Sequence, residues 1–180
     1  MILPFSIIVA VDQADGIGLQ GRLPWHLSGD MKHFKTITSE TQDPCKKNIV
    51  IMGRKTWESI PDTFKPLKNR YNVVLSRQGR LDLPEGVWPA KTFADIGPVI
   101  DQQIHRDRCE NIFVIGGAQI YEQAVQDPHC QRIFLTRVMK TFSCDAFFTS
   151  YHHRFIERQR SDTMTEKDIT YYFSEFQRKD

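Results

Sequence analysis

Apolar positions change period along the chain. Largely apolar runs at 6–11, 48–52, 71–75, 112–115 and 133–138, rich in Ile and Val, alternate with stretches spaced at helical intervals. Short runs of this kind predict strands buried on both faces. Val87-Trp88 predicts one more short strand. Between the strands, Met31, Phe34 and Ile37 predict a helix. Residues 53–60 predict a shorter one, stopped by Pro61. Residues 93–104 predict an amphipathic helix, weakened at its start by Gly97-Pro98, and another helix begins near Gly117. Toward the end the pattern changes. Residues 155–159 and 169–176 alternate in part on either side of a polar stretch, which predicts an antiparallel pair. The order β-α-β-α-β-β-α-β-α-β-β-β predicts an α/β fold: one domain over 1–180, a mostly parallel central sheet, helices on both faces and an antiparallel C-terminal strand pair.

Polar residues stand out against this pattern at a few places. Ser28 is placed to cap the first helix, and Asp30 follows in its first turn, four residues before Phe34 and so on the same face. A carboxylate facing an apolar stripe needs a cationic or hydrogen-bonding partner. The alternative is an exposed first-turn acid favoured by the helix dipole. Gly16-Ile17-Gly18-Leu19-Gln20-Gly21 matches G-x-G-x-x-G after a strand, but Arg22-Leu23-Pro24-Trp25 follows where a helix should open, so a mobile glycine-rich loop fits better than a Rossmann turn. After the second strand come Gly53-Arg54-Lys55-Thr56. Two cations at a helix N-terminus are unfavourable alone and make sense if an anion docks there; the other reading is a solvated pair. Ser76-Arg77 follow the next strand, Lys91 the one after, and Gly116-Gly117 the one after that. In open α/β sheets ligands bind beyond the carboxyl ends of the strands, where most of these motifs fall.

Composition narrows the partners. Net charge is only +2, which gives no general reason to expect nucleic acid or a membrane surface. The start of the chain lacks a basic n-region and a long apolar run, so a cytoplasmic protein is expected. Cys45, Cys109, Cys130 and Cys144 show no metal-ligand spacing; reduced thiols and no metal are expected. No long exposed apolar stripe is left over, so a monomer is expected.

Taken in order, the motifs resemble a known family. Ile-Val-Ala-Val at 8–11 does not stand alone: with Gly-Ile-Gly (16–18), Leu-Pro-Trp (23–25), Ile-Met-Gly-Arg-Lys-Thr-Trp (51–57), Ser-Ile-Pro (59–61), Pro-Leu-Lys (66–68), Leu-Ser-Arg (75–77), Ile-Gly-Gly-Ala-Gln-Ile-Tyr (115–121) and Leu-Thr-Arg (135–137) it closely resembles dihydrofolate reductases of the chromosomal type. The likeness runs over nearly the whole chain. It implies reduction of 7,8-dihydrofolate to 5,6,7,8-tetrahydrofolate with NADPH, in support of one-carbon metabolism, and binding of antifolate inhibitors. Asp30 matches the family's active-site carboxylate, which accepts two adjacent pterin N–H groups, with Thr136 supporting it. Trp25, Leu23 and Tyr121 join the catalytic set. Trp25 is expected to bind water near the carboxylate and Tyr121 to stand near the nicotinamide. Ile8, Val9, Met31, Phe34, Ile60 and Ile115 are implied to line the pterin and aminobenzoyl pocket, and Arg70 to clamp the glutamyl carboxylate.

For the cofactor the resemblance implies Arg54, Ser76, Arg77 and Lys91 at the 2′-phosphate, with Gly53 and Leu75 also in the cofactor-binding set. Lys55 and Thr56 fall at the pyrophosphate, together with Gly116, Gly117, Ala118, Gln119 and Ile120. Ala10, Ile17, Gly18 and Leu19 fall at the nicotinamide end. The Gly-Gly bond is cis in the family. Asp in place of Glu, and Met31 where Leu or Phe is common, leave inhibitor selectivity open. Two other readings remain: a related NADPH-dependent reductase of another pterin or a flavin precursor, and a non-catalytic folate- or nucleotide-binding protein.

Overall fold

Side chains alternate across each strand, and the strands here carry apolar residues on both sides, so both faces of the sheet must be covered. The computed structural model describes residues 3–77 and 81–179; Met1 and Ile2, at the start of the N-terminal stretch, fall outside it. Its first half runs β1 (Phe5–Val11), β2 (Gly16–Gly18), α1 (Ser28–Ser39), β3 (Lys47–Gly53), α2 (Arg54–Ser59), β4 (Arg70–Leu75) and β5 (Val87–Ala90). The second half runs α3 (Ile96–Val99), β6 (Cys109–Val114), α4 (Ala118–Gln126), β7 (Cys130–Val138), β8 (Ala146–Phe147), β9 (Phe155–Arg160), β10 (Met164–Glu166) and β11 (Ile169–Arg178).

Among the described residues nine strands form one sheet, ordered β10-β11-β7-β1-β6-β3-β4-β5, with β9 also paired to β11. From β7 to β5 every neighbouring pair is parallel; β11 pairs antiparallel with β7, β9 and β10. The α/β architecture with its antiparallel C-terminal pair is therefore as expected. Ile7, Val9, Val11, Ile49 and Ile51 face one core, roofed by Ile96 and Ile100 and by Tyr121, Ala124 and Val125 of α4. Ile8, Val50, Met52 and Phe113 face the other, under Phe34 and Ile37 of α1 and Trp57 of α2.

Four local expectations change. Residues 93–104 form a 3-10 turn (Phe93–Asp95), α3 and a π-turn (Ile100–Ile104) in succession. A reciprocal Thr92–Asp95 capping box starts the series, and Ile96, Ile100 and Ile104 are all buried, so the apolar spacing identified the buried face although the backbone is not one regular helix. The glycine-rich segment is not a free loop: β2 pairs antiparallel with β8. An additional short strand, β10, fills the polar stretch before β11. Ser28 is not the cap of α1. Leu27 holds that position without a side-chain bond, and the Ser28 hydroxyl donates to Glu166 instead.

Candidate functional site

Asp30 is buried on α1, only 4% exposed, against the antiparallel side of the sheet. Thr136 of β7 donates its hydroxyl to Asp30 Oδ1 at 2.7 Å. Thr136 is itself buried and sits in register between Ala10 of β1 and Phe173 of β11. Burial pushes the Asp30 carboxyl above the usual carboxylate range, and the Thr136 bond opposes that shift. The exposed-acid reading of Asp30 does not hold.

Along α1, Asp30, Phe34 and Thr38 stand at i, i+4 and i+8 and form one line about 12 Å long. At its far end stands Arg70, the first residue of β4. Its Nη1 donates to Thr38 Oγ1 at 2.7 Å, its Nε donates to the Lys68 carbonyl at 3.0 Å, and its guanidinium lies 5.9 Å from the Phe34 ring centroid. Partial burial pulls the Arg70 pKa down. Thr38 was missed from sequence, although helical spacing from Asp30 points to it. Ile8, Ile60 and Ile115 belong to the same face of the sheet as Phe34. Met31 and Leu23 are 40% and 42% exposed, free to meet a ligand. Val9 points to the opposite core, so only its main chain can face this trough. Tyr121 also comes from the opposite side; its buried hydroxyl donates to the Ile8 carbonyl at 2.8 Å.

The carboxyl ends of β6, β3, β4 and β5 line up side by side. Gly53 N–H donates to the Gly116 carbonyl at 2.7 Å, Leu75 stands in register between Gly53 and Ala90, and Ser76 N–H donates to the Ala90 carbonyl at 2.9 Å. The Gly116-Gly117 peptide is cis, and Gly116 has a φ of +116°. A Cβ on Gly53 would stand 3.2 Å from Ile120, and one on Gly117 3.4 Å from the Thr56 hydroxyl, so side chains here would crowd the gap between the starts of α2 and α4. Ala118 and Gln119 open α4 behind this gap. Lys55, Arg77 and Lys91 are exposed, and Arg54 is held by Glu58 at 2.6 Å.

The β2 segment follows β1 and pairs with β8. Ile17 packs on the core, and Gly18 accepts from Asp145 N–H at 2.9 Å. Leu19 is exposed and Ala10 packs with Trp25, Leu27 and Phe142. Trp25 is buried, and its indole N–H has no partner among the described residues. The buried Asp12 carboxylate holds this segment together, accepting from Ala14, Gly16 and Phe142 N–H at 2.7–2.8 Å. A cavity of about 330 Å³ elsewhere, bounded by β7, β9 and β11, includes none of the expected site residues.

A mostly parallel sheet, a buried carboxylate on one flank and a glycine cradle at its strand ends are the features of an α/β protein with a small-molecule site beyond its strand ends. Comparison with known proteins makes this specific. The family model for dihydrofolate reductase matches residues 4–178. A dihydrofolate reductase of Drosophila melanogaster is 39% identical over 157 residues, 87% of this chain and 85% of its own. One of Rattus norvegicus is 37% identical over 191 aligned residues, covering 100% of both chains. A bifunctional dihydrofolate reductase-thymidylate synthase of Glycine max is 42% identical over 145 residues, 79% of this chain but 27% of its own. The chain belongs to the dihydrofolate reductase family. It is an oxidoreductase that reduces dihydrofolate, and the family implies a nicotinamide cofactor.

Proposed function

We propose that this protein reduces 7,8-dihydrofolate to 5,6,7,8-tetrahydrofolate with NADPH, as a cytoplasmic monomer that supplies one-carbon metabolism and binds antifolates. The observation that carries the reading is the buried Asp30 carboxylate with Thr136 behind it. A pterin offers two adjacent N–H donors, on its 2-amino group and the neighbouring ring nitrogen. One carboxylate accepts both. The Thr136 hydroxyl spends its proton on Asp30 Oδ1, which leaves its oxygen able to accept from the same amino group. Phe34, Ile8, Ile60, Ile115, Met31 and Leu23 then wall the ring and aryl linker. Arg70, preset by Thr38 and the Lys68 carbonyl, takes the terminal carboxylate.

The residues at the strand ends fit a phosphorylated dinucleotide. The glycines at 53, 116 and 117 leave room for backbone approach, and cations at 54, 55, 77 and 91 surround the place where phosphate charge would lie. NADPH held there would supply the hydride to pterin carbon 6, and water would supply the proton that nitrogen 5 must gain. Gly53, Arg54, Leu75, Ser76, Arg77 and Lys91 receive the adenosine phosphate end. Lys55, Thr56, Gly116, Gly117, Ala118, Gln119 and Ile120 receive the pyrophosphate, and Ala10, Ile17, Gly18, Leu19 and Tyr121 the nicotinamide end. Asp30 orients and polarises the pterin. Trp25 keeps its buried indole N–H for an ordered water near that carboxylate.

Near-UV absorbance of NADPH, with and without dihydrofolate, tests this. Loss only when dihydrofolate is present is the expected result. No loss, with both ligands still bound tightly, makes the chain a binding protein and overturns the reading.

A further inference from the structure

Helix α1 begins without a cap of its own. Leu27 cannot satisfy the free N–H groups of the first turn, and Asp30 lies within that turn. The missing acceptor comes from 138 residues away. Glu166, the last residue of β10, accepts the Ser28 N–H and the Ser28 hydroxyl on Oε1, each at 2.8 Å, and the Gly29 N–H on Oε2 at 3.1 Å. A carboxylate at this place also meets the positive end of the helix dipole.

Two neighbours fix the same end of the helix. A Cβ on Gly29 would stand 2.0 Å from the Tyr171 hydroxyl, so α1 rests directly on β11 there. One turn on, the His33 ring stacks on Phe173 with centroids 3.8 Å apart and planes 14° apart. Phe173 is the register partner of Thr136. Asp30 therefore lies between a clamp at the helix start and a stack one turn later, with its own bond to Thr136 between them. Glu166 reaches the helix because β10 and β11 are joined by Lys167-Asp168, both at positive φ (50° and 61°), the signature of a tight two-residue turn.

We infer that Glu166 is a positioning residue for dihydrofolate reduction: by holding the first turn of α1 it sets the place of the Asp30 carboxylate over Thr136. The inference rests on Asp30 being the group that meets the pterin. Misplacing a reacting group by about 1 Å from a distance costs up to about 10²-fold in rate.

The test compares Glu166→Ala, Glu166→Gln and Thr165→Ala with the unaltered protein. The readouts are single-turnover hydride transfer, KM for dihydrofolate, NADPH affinity by fluorescence, and hydrogen exchange at the Ser28 and Gly29 amides. Glu166→Ala is expected to slow hydride transfer by about ten- to a hundred-fold. KM should rise and exchange at both amides should quicken, with NADPH affinity unmoved. Glu166→Gln keeps one acceptor oxygen and should recover part of the rate; it also carries the test if the alanine variant fails to fold. Thr165→Ala disturbs only the exposed Thr165–Thr170 hydroxyl pair of the same hairpin and should leave the kinetics alone. Faster amide exchange in Glu166→Ala with unchanged rate and KM would reduce Glu166 to a structural cap and overturn the inference. Absence of dihydrofolate-dependent NADPH oxidation in the unaltered protein would instead overturn the functional reading.

Discussion

The two ends of the candidate site hold their charges in opposite ways. At the antiparallel end Asp30 is buried, and its surroundings are fixed by β7, β10 and β11 through Thr136, Glu166 and Phe173. At the parallel end Lys55, Arg77 and Lys91 lie in water, and Arg54 is paired with Glu58 on the surface of α2. A buried charge must have its partners built in, because water cannot supply them and each missing hydrogen bond costs about 1–3 kcal/mol. An exposed cation needs only to be nearby, since solvent holds it until an anion arrives. The Asp30 end should therefore respond sharply to small changes, and the cation end gradually and additively.

The largest effect should come from Asp30→Asn. Asn keeps the shape and can still accept from Thr136, but it cannot accept two pterin donors as an anion. Hydride transfer is expected to fall by about 10²–10³-fold, the usual range for removing one charge-stabilising group from a reacting centre. NADPH affinity, measured by fluorescence titration, should barely move. Unchanged turnover at neutral pH would erase the contrast between the two ends.

A smaller effect is expected from removing Arg54 and Arg77 together. A charge-assisted bond is worth about 1.5–3 kcal/mol. Solvent exposure puts Arg77 at the low end, about tenfold in the ratio of kcat/KM for NADPH over NADH. Arg54 must also leave Glu58, so its share should be the weaker one. A ratio that does not move would place the phosphate elsewhere.

The same division governs what could be seen in the sequence. Strand cores, the strand-end glycines and the cations were visible, because each is a local signal: an apolar run, a G-G pair, a basic residue after a strand. Asp30 was visible as a polar residue on an apolar helix face. Its supports were less so. Thr38 lay at helical spacing from Asp30 and was open to inference. Glu166 was not, because its links to Ser28 and Gly29 span 138 and 137 residues and depend on a two-residue turn at Lys167-Asp168. Ser28 looked like a cap for the same reason: a serine beside a helix start does not reveal that a distant carboxylate has already taken the role. Val9 shows the limit of carrying a role over by position, since strand alternation turns its side chain into the other core.

The smallest effect separates the two ends by stability rather than rate. The Asp30 pKa is raised in the folded protein by burial, with the Thr136 bond opposing. A carboxyl with a folded pKa above its unfolded value near 3.9 holds its proton more tightly when folded. Stability therefore falls as pH rises from the unfolded pKa through the folded one, and stays reduced above both. Asp30→Asn removes that loss. Its thermal midpoint should exceed that of the unaltered protein at pH 7, and the gap should close as the pH drops below about 4, where Asp30 is neutral in both states. The Arg54→Ala, Arg77→Ala double variant should show no such gap, because Arg77 is exposed and the Arg54–Glu58 pair it removes is a surface pair, which contributes little to stability. A lower midpoint for Asp30→Asn at pH 7 would mean that the ionised carboxylate stabilises the fold, and that the cost of burying it is already met by the protein around it.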